Sequence, residues 1–213
     1  GYDVVDTAKA KELGITVCNV PAYSTDSIAQ LTFALLLELT HRVAQHSASV
    51  RAGKWSSCPD FCFWETPLTE LSGLTLGIVG FGQIGRAVAK IANAFNMNVL
   101  VYTRTHKPPE GLEFAYVTLE ELLKQSDVVS LHCPLTPQTR GMINKEAFKK
   151  MKKNAIVVNE ARGPVIDHAD LVEALETGEI WGAGIDCWWS EPIDYDDPLL
   201  KMDTVITTSH LGA

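Results

Sequence analysis

Residues 74–85, Leu74-Thr75-Leu76-Gly77-Ile78-Val79-Gly80-Phe81-Gly82-Gln83-Ile84-Gly85, run from an apolar segment into G-x-G-x-x-G and on into a helical pattern, Arg86-Ala87-Val88-Ala89-Lys90-Ile91-Ala92. Gly80 permits a tight turn out of a strand and Gly82 lets the backbone approach a phosphate. Gly85 lets the helix pack hard on the strand while its N-terminal N–H groups, those of Gln83 and Ile84 among them, face an anion. Ordinary turns also use glycines, so the surroundings decide. The preceding strand is apolar, the helix has a small-residue face, and Asn98-Val99-Leu100-Val101-Tyr102 supplies a second strand within a unit of about 30 residues. The segment predicts a dinucleotide pyrophosphate site.

The chain has 213 residues and is 46% hydrophobic, which suffices for one large domain, or one plus a fragment of another. A formal net charge of −8 argues against a broad surface for nucleic acid or an anionic membrane, so neither partner is expected and the anion site must be local. The longest apolar run, 28–39, contains Gln30 and Glu38, is too short to span a bilayer and reads as a buried helix. No secretory signal follows Gly1. Cys18, Cys58, Cys62, Cys133 and Cys187 are scattered and odd in number, which suits reduced thiols in a cytoplasmic protein. Cys58 and Cys62 lack a second ligand pair at zinc spacing, so no metal site is expected. The chain opens without methionine and stops at His210-Leu211-Gly212-Ala213, which reads as a piece truncated at both ends.

Apolar periodicity from Thr25 to about Arg51 predicts one long helix, with Ser24, Thr25 or Asp26 as cap and Gly53 as stop. An irregular aromatic loop, 54–67, follows. Beyond the glycine turn, strands are expected near 98–102, 127–131, 155–158, 182–186 and 204–207, and helices near 84–95, 118–124, 144–151 and 167–176. That alternation predicts an α/β fold with a parallel, doubly wound, Rossmann-like sheet. Right-handed crossovers put the C-terminal ends of its strands on one rim, where ligands bind.

Most of the unusual polar residues fall just past strands. Arg162 follows Ala155-Ile156-Val157-Val158 and precedes Gly163-Pro164; its planar fork there suits a carboxylate substrate, or it pairs with Glu160 or Asp167 on the surface. His210 lies past the last strand and Glu191 in the Ser190-Glu191-Pro192 turn. A carboxylate beside an imidazole raises its pKa, so the ring can carry a proton and give it to a developing alkoxide. Taken singly, each of these residues also fits a structural role.

Taken together and in order, they resemble the D-isomer-specific 2-hydroxyacid dehydrogenases. The likeness runs over nearly the whole chain, through Gly80 to Gly85, His132-Cys133-Pro134-Leu135-Thr136 with Thr139, Asn159-Glu160-Ala161-Arg162-Gly163 with Asp167, Gly182-Ala183-Gly184-Ile185-Asp186 to Glu191-Pro192, and Ser209-His210-Leu211-Gly212. Val20 to Gln30 and the Asp60-Phe61-Cys62-Phe63-Trp64 loop look most like the glycerate dehydrogenase (hydroxypyruvate reductase) branch. The resemblance implies hydride transfer between a nicotinamide cofactor and a small D-2-hydroxy acid or 2-keto acid. Arg162 would bind the carboxylate and carbonyl, His210 would be acid and base, and Glu191 would tune His210. The dinucleotide would be held by Gly80, Gly82, Gln83, Ile84, Gly85, Thr103, Arg104, His132, Cys133, Pro134, Thr139, Glu160, Ala161, Arg162, Asp186, His210 and Gly212. Asp186 resembles a position near the nicotinamide carboxamide, or it caps a turn. Residues 1–22 would belong to a substrate-binding domain, 23–208 to the dinucleotide-binding domain, and 209–213 to the return. Relatives of this kind imply a homodimer through 25–52 and 54–67, where Trp55, Phe61, Phe63 and Trp64 form an interface, a substrate wall or a satellite of the monomer core.

Other features leave alternatives. An NAD site commonly carries an acid after the second strand, about 20 residues past the glycines. Here Thr103-Arg104 follow Tyr102, with Thr105 and Lys107 nearby, so NADP is as plausible as NAD, or Arg104 stacks over adenine. Glu160 pairs with Arg162 or faces solvent. Trp188-Trp189 wall the nicotinamide pocket or pack inside. Beside the glycerate reading stand a D-lactate or phosphoglycerate type of dehydrogenase and a dinucleotide-sensing, corepressor-like binding protein.

Overall fold

β-Branched and aliphatic runs too short for helices become strands here because both of their faces are covered, as a parallel sheet demands. The computed structural model describes residues 4–107 and 109–212. Its elements run α1 (Thr7–Glu12), α2 (Thr25–His41), α3 (Val43–Arg51), β1 (Thr75–Val79), α4 (Gln83–Ala94), β2 (Asn98–Tyr102), β3 (Ala115–Tyr116), α5 (Leu119–Gln125), β4 (Val128–Leu131), α6 (Lys145–Phe148), β5 (Ile156–Asn159), α7 (His168–Glu176), β6 (Gly182–Ile185) and β7 (Val205–Thr207). The seven strands form one sheet in the order β3-β2-β1-β4-β5-β6-β7, and every pair is parallel. The order reverses between β1 and β4, opening a crevice at the strand ends beside the glycine turn. The doubly wound sheet read from the alternation is therefore the fold. Among the described residues no helix is long and apolar enough to cross a membrane.

Two apolar layers sandwich the sheet. On one face Phe33, Leu36 and Leu39 of α2 and Val88, Ala89 and Ala92 of α4 pack on Leu76, Ile78, Ile156 and Val158. On the other, Leu122 of α5, Phe148 of α6 and Leu171 of α7 pack on Val129, Val157 and Ile185. Alternate residues of β5 thus point to opposite layers, as the strand period of two requires. Burial of such side chains contributes about 1.5–3 kcal/mol each.

Two expectations need correction, and two short elements were not foreseen. The long helix over 25–51 is two helices, broken at Arg42, whose φ is +50°. Neither Gly nor Pro marks the break, so periodicity carried no sign of it. The burial changes there: α2 buries eight residues whereas α3 buries none, and the Arg42 guanidinium lies 5.9 Å from the Trp181 ring centroid. The helix over 144–151 is shorter than expected, Lys145–Phe148, with the Asn144 side chain accepting from Ala147 N–H. Helix α1 and the two-residue β3 lack the length to declare themselves by period.

Candidate active site

Gly80 leaves β1 with φ +96° and donates its N–H to Tyr102 C=O at 2.8 Å. A Cβ there would lie 2.6 Å from the His132 carbonyl oxygen, so the crossing of β1 and β4 admits only glycine. A Cβ on Gly85 would overlap the Gly80 carbonyl oxygen, which is the close helix–strand approach expected of the third glycine. At Gly82 a Cβ would meet nothing within 4 Å. The space above Gly82 is open, and the unpaired N–H groups of Gln83, Ile84 and Gly85 begin α4 beneath it. A diphosphate fits this cradle: backbone donors and the positive end of a helix dipole meet it, and no side chain intrudes. Gly80→Ala is expected to lose about 2–5 kcal/mol of stability, from the left-handed backbone plus the clash, and to weaken dinucleotide binding. Urea unfolding and a fluorescence titration check this; a variant that unfolds like the wild type contradicts it.

Beside the cradle, the ends of β1, β2 and β4 enclose a cleft of about 260 Å³ that includes Thr103, Arg104, Thr105, His132, Cys133, Pro134 and Thr139. None of its lining residues is acidic. Thr139 Oγ1 donates to Pro134 C=O at 2.6 Å and so closes the loop behind β4. The His132 ring meets Ser130 Oγ at 2.8 Å, and burial lowers its pKa to about 4, so the ring is neutral. Burial also raises the Cys133 thiol. Gln83, Ile84 and His132 border a second recess with Tyr23, Ser24 and Thr25.

A second group forms past β5, β6 and β7. Buried Asn159 clamps the loop after β5, its Oδ1 accepting from Ala161 N–H at 3.1 Å and its Nδ2 donating to Arg162 C=O at 3.0 Å. Arg162 Nη1 donates to Ala161 C=O at 2.7 Å. A Cβ on Gly163 would overlap the Trp188 backbone, so glycine brings the Arg162 loop against the Trp188–Glu191 turn. The Asp167 side chain caps α7, accepting from Asp170 N–H at 3.1 Å. Buried Asp186 accepts from Thr208 Oγ1 at 2.6 Å, Leu211 N–H at 2.7 Å and Gly212 N–H at 3.0 Å, and its C=O accepts from His210 N–H at 3.0 Å. The turn-cap alternative for Asp186 is the one these bonds display. They hold His210 at φ +59°.

His210 Nδ1 then meets Glu191 Oε1 and Oε2 at 3.0 and 2.9 Å. Burial pushes the Glu191 carboxyl up, but the Trp188 N–H, the His210 bond and the charges of His210 and Arg162 outweigh it and hold the group below its usual value. It therefore stays ionised against the ring, and Nε2 is left to exchange a proton. A cleft of about 690 Å³, walled by Trp188, Ile193, Thr208 and Leu211, adjoins the pair. Trp188 walls the cleft and Trp189 packs against the core, their indole N–H groups bonded to Thr208 and Ile166 carbonyls at 3.3 and 2.8 Å.

Glu160 neither faces solvent nor lies on the surface. It is 5% exposed, turned inward onto α2 against Thr32 Oγ1, and its Oε1 has no hydrogen-bond partner. Burial, with the Asp186 charge adding to it, lifts its pKa to about 8. Thr32 Oγ1 lies between two acceptors, the Glu160 carboxyl and Ile28 C=O at 2.9 Å. Sequence reading also passes over Cys187, whose Sγ lies 3.7 Å from His210 Nε2, and Thr208; their only signal is adjacency to Asp186 and His210.

An all-parallel sheet with this glycine cradle at its switch point defines a dinucleotide-binding domain. The family model for "D-isomer specific 2-hydroxyacid dehydrogenase, NAD binding domain" matches residues 33–212, and the chain belongs to that family. It is 50% identical over 213 residues to a hydroxypyruvate reductase of Blautia hydrogenotrophica and 41% identical over 214 residues to a glycerate dehydrogenase of Methylorubrum extorquens, covering all of this chain and 66% of each relative. The crystal structure of the TT0316 protein from Thermus thermophilus superposes with a TM-score of 0.87 at 44% identity, again over all of this chain and 66% of that one. The chain thus spans about two thirds of the length of these relatives.

Proposed function

We propose that this chain is the dinucleotide-binding part of an oxidoreductase that moves a hydride between NAD or NADP and a small D-2-hydroxy or 2-keto acid, with glycerate and hydroxypyruvate as the pair. The observation that carries the reading is His210 held by Glu191 through Nδ1 at 2.9–3.0 Å, on the same rim as the glycine cradle. The names of the hydroxypyruvate reductase and glycerate dehydrogenase relatives support the substrate.

When bound, the nicotinamide supplies or accepts the hydride. The Arg162 fork takes the substrate carboxylate in a bidentate grip and leans on the carbonyl oxygen. His210 Nε2 donates its proton to that oxygen as negative charge develops, and in the reverse direction neutral His210 removes the hydroxyl proton. Ionised Glu191 fixes the tautomer and favours the imidazolium. Thr103, Arg104, Thr139 and the 132–134 loop would hold the dinucleotide, with Asp186 and Gly212 toward its nicotinamide end and Ala161 between, while the buried Glu160 side chain is turned onto α2. With no acidic residue in the cleft and Arg104 present, a 2′-phosphate meets attraction rather than repulsion, so both cofactors are accepted.

Residues 1–22 and 209–213 would form part of a substrate lobe around the core of 23–208; residues 1–3 and 213 lie outside the described ones. Trp55, Phe61 and Trp64 are 51%, 89% and 67% exposed, which supports the 25–52 helices and 54–67 loop as a homodimer face rather than a core satellite. The cysteines, free among the described residues, suit a cytoplasmic protein.

The test is reduction of hydroxypyruvate, glyoxylate and pyruvate by the full-length protein, each with NADH and NADPH. Hydroxypyruvate is expected to give the highest kcat/KM, with turnover from both cofactors. A preference for pyruvate moves the reading to a D-lactate type. Dinucleotide-dependent assembly without turnover sinks the enzyme in favour of a corepressor-like protein.

A further inference from the structure

Cys187 follows Asp186 at the end of β6 and is 1% exposed. Its Sγ lies 3.7 Å from His210 Nε2, while Nδ1 of the same ring is bonded to Glu191. Sulfur, imidazole nitrogen and carboxylate oxygen from these three residues gather within 4.8 Å of one another. A tetrahedral ion with bonds of about 2.3 Å to sulfur and 2.0–2.1 Å to nitrogen holds those two atoms roughly 3.6 Å apart. The observed separation of 3.7 Å is close to that edge. Glu191 on Nδ1 supplies the outer carboxylate that metal-bound histidines commonly keep, which leaves Nε2 for the ion. The local field suits a cation, since the Asp186 and Glu191 carboxylates act on Cys187 with one sign and Arg162 with the other.

We propose that Cys187 Sγ and His210 Nε2, with Glu191 as the outer partner, form an inhibitory site for a thiophilic divalent ion of the zinc class. On binding, the S–H bond breaks, the S–metal bond forms and the proton leaves to solvent, because a metal makes a coordinating thiol a thiolate outright. No electron moves. The remaining positions on the ion go to water or to the oxygens of a 2-keto acid. Occupancy of Nε2 removes the nitrogen that exchanges the substrate proton, so the ion inhibits; that consequence rests on the role proposed for His210, whereas the binding site does not.

The experiment separates the two. On the full-length protein, Co²⁺ is expected to bind with a thiolate-to-cobalt charge-transfer band, lost in Cys187→Val and in Cys187→Ser and weakened about 10- to 100-fold in affinity by Glu191→Gln. Zn²⁺ is expected to inhibit the wild type while Cys187→Val keeps its turnover and resists. Absence of the band, or a band that survives both Cys187 variants, overturns the site. Equal inhibition of wild type and Cys187→Val overturns the inhibitory role. A Cys187-dependent band in a protein with no reductase activity keeps the ion site and discards the function above.

Discussion

Replacing His210 by alanine is expected to lower kcat by about 10²–10⁴-fold and to leave the dinucleotide Kd nearly unchanged. The separation of effects follows from the geometry. The turn that carries His210 is held by Asp186 through Thr208 Oγ1 and the Leu211 and Gly212 N–H groups, none of which involves the imidazole. The phosphate cradle lies across the rim at Gly82 and the start of α4. The substitution therefore removes a proton donor while the backbone around it stays. Single-turnover kinetics and a cofactor titration measure the two quantities, and wild-type turnover in the variant refutes the assigned role. Glu191→Gln keeps the shape but loses the charge that favours imidazolium, so its smaller loss should come with a shifted pH profile.

The second large effect concerns stability. Glu160 holds its proton up to about pH 8 in the folded protein, whereas its ordinary value is 4.5. Between those values the folded state binds a proton that the unfolded chain has released, so the stability of the fold falls as pH rises and levels off above pH 8. At 1.36 kcal/mol per pH unit, the cost above that window is on the order of 5 kcal/mol. Glu160→Gln keeps the shape and an acceptor oxygen for Thr32 without a titrating proton. It is expected to unfold near the wild type at pH 5 and to be the more stable protein at pH 8.5, by several kcal/mol. Urea midpoints at the two pH values decide it; a gap independent of pH means that Glu160 does not titrate in this window.

Much of the framework was legible because its signals are local. The glycine spacing and the strand lengths each rest on residues within a few positions of one another. Arg162, Glu191 and His210 were legible for another reason: in a parallel sheet every strand end reaches the same rim, so residues just past β5, β6 and β7 converge without any pairwise signal between them. The break at Arg42 was hidden, since a left-handed arginine has the same periodicity as a helical one and only the change from buried α2 to exposed α3 marks it.

The buried state of Glu160 was hidden for the reason that tertiary contacts generally escape a linear reading. A glutamate after a strand looks like a solvated loop residue until α2 is folded over it and Thr32 meets its carboxyl. Cys187 likewise becomes a candidate ligand only when the Asp186-capped turn brings the His210 ring to 3.7 Å. From the sequence alone come the parallel sheet, the phosphate cradle and the family's order of polar residues, because backbone sterics and periodicity are properties of neighbours. Which carboxylate stays charged, which takes a proton, and which sulfur stands beside the histidine were decided only by the tertiary structure, because burial and electrostatics depend on distant segments brought into contact.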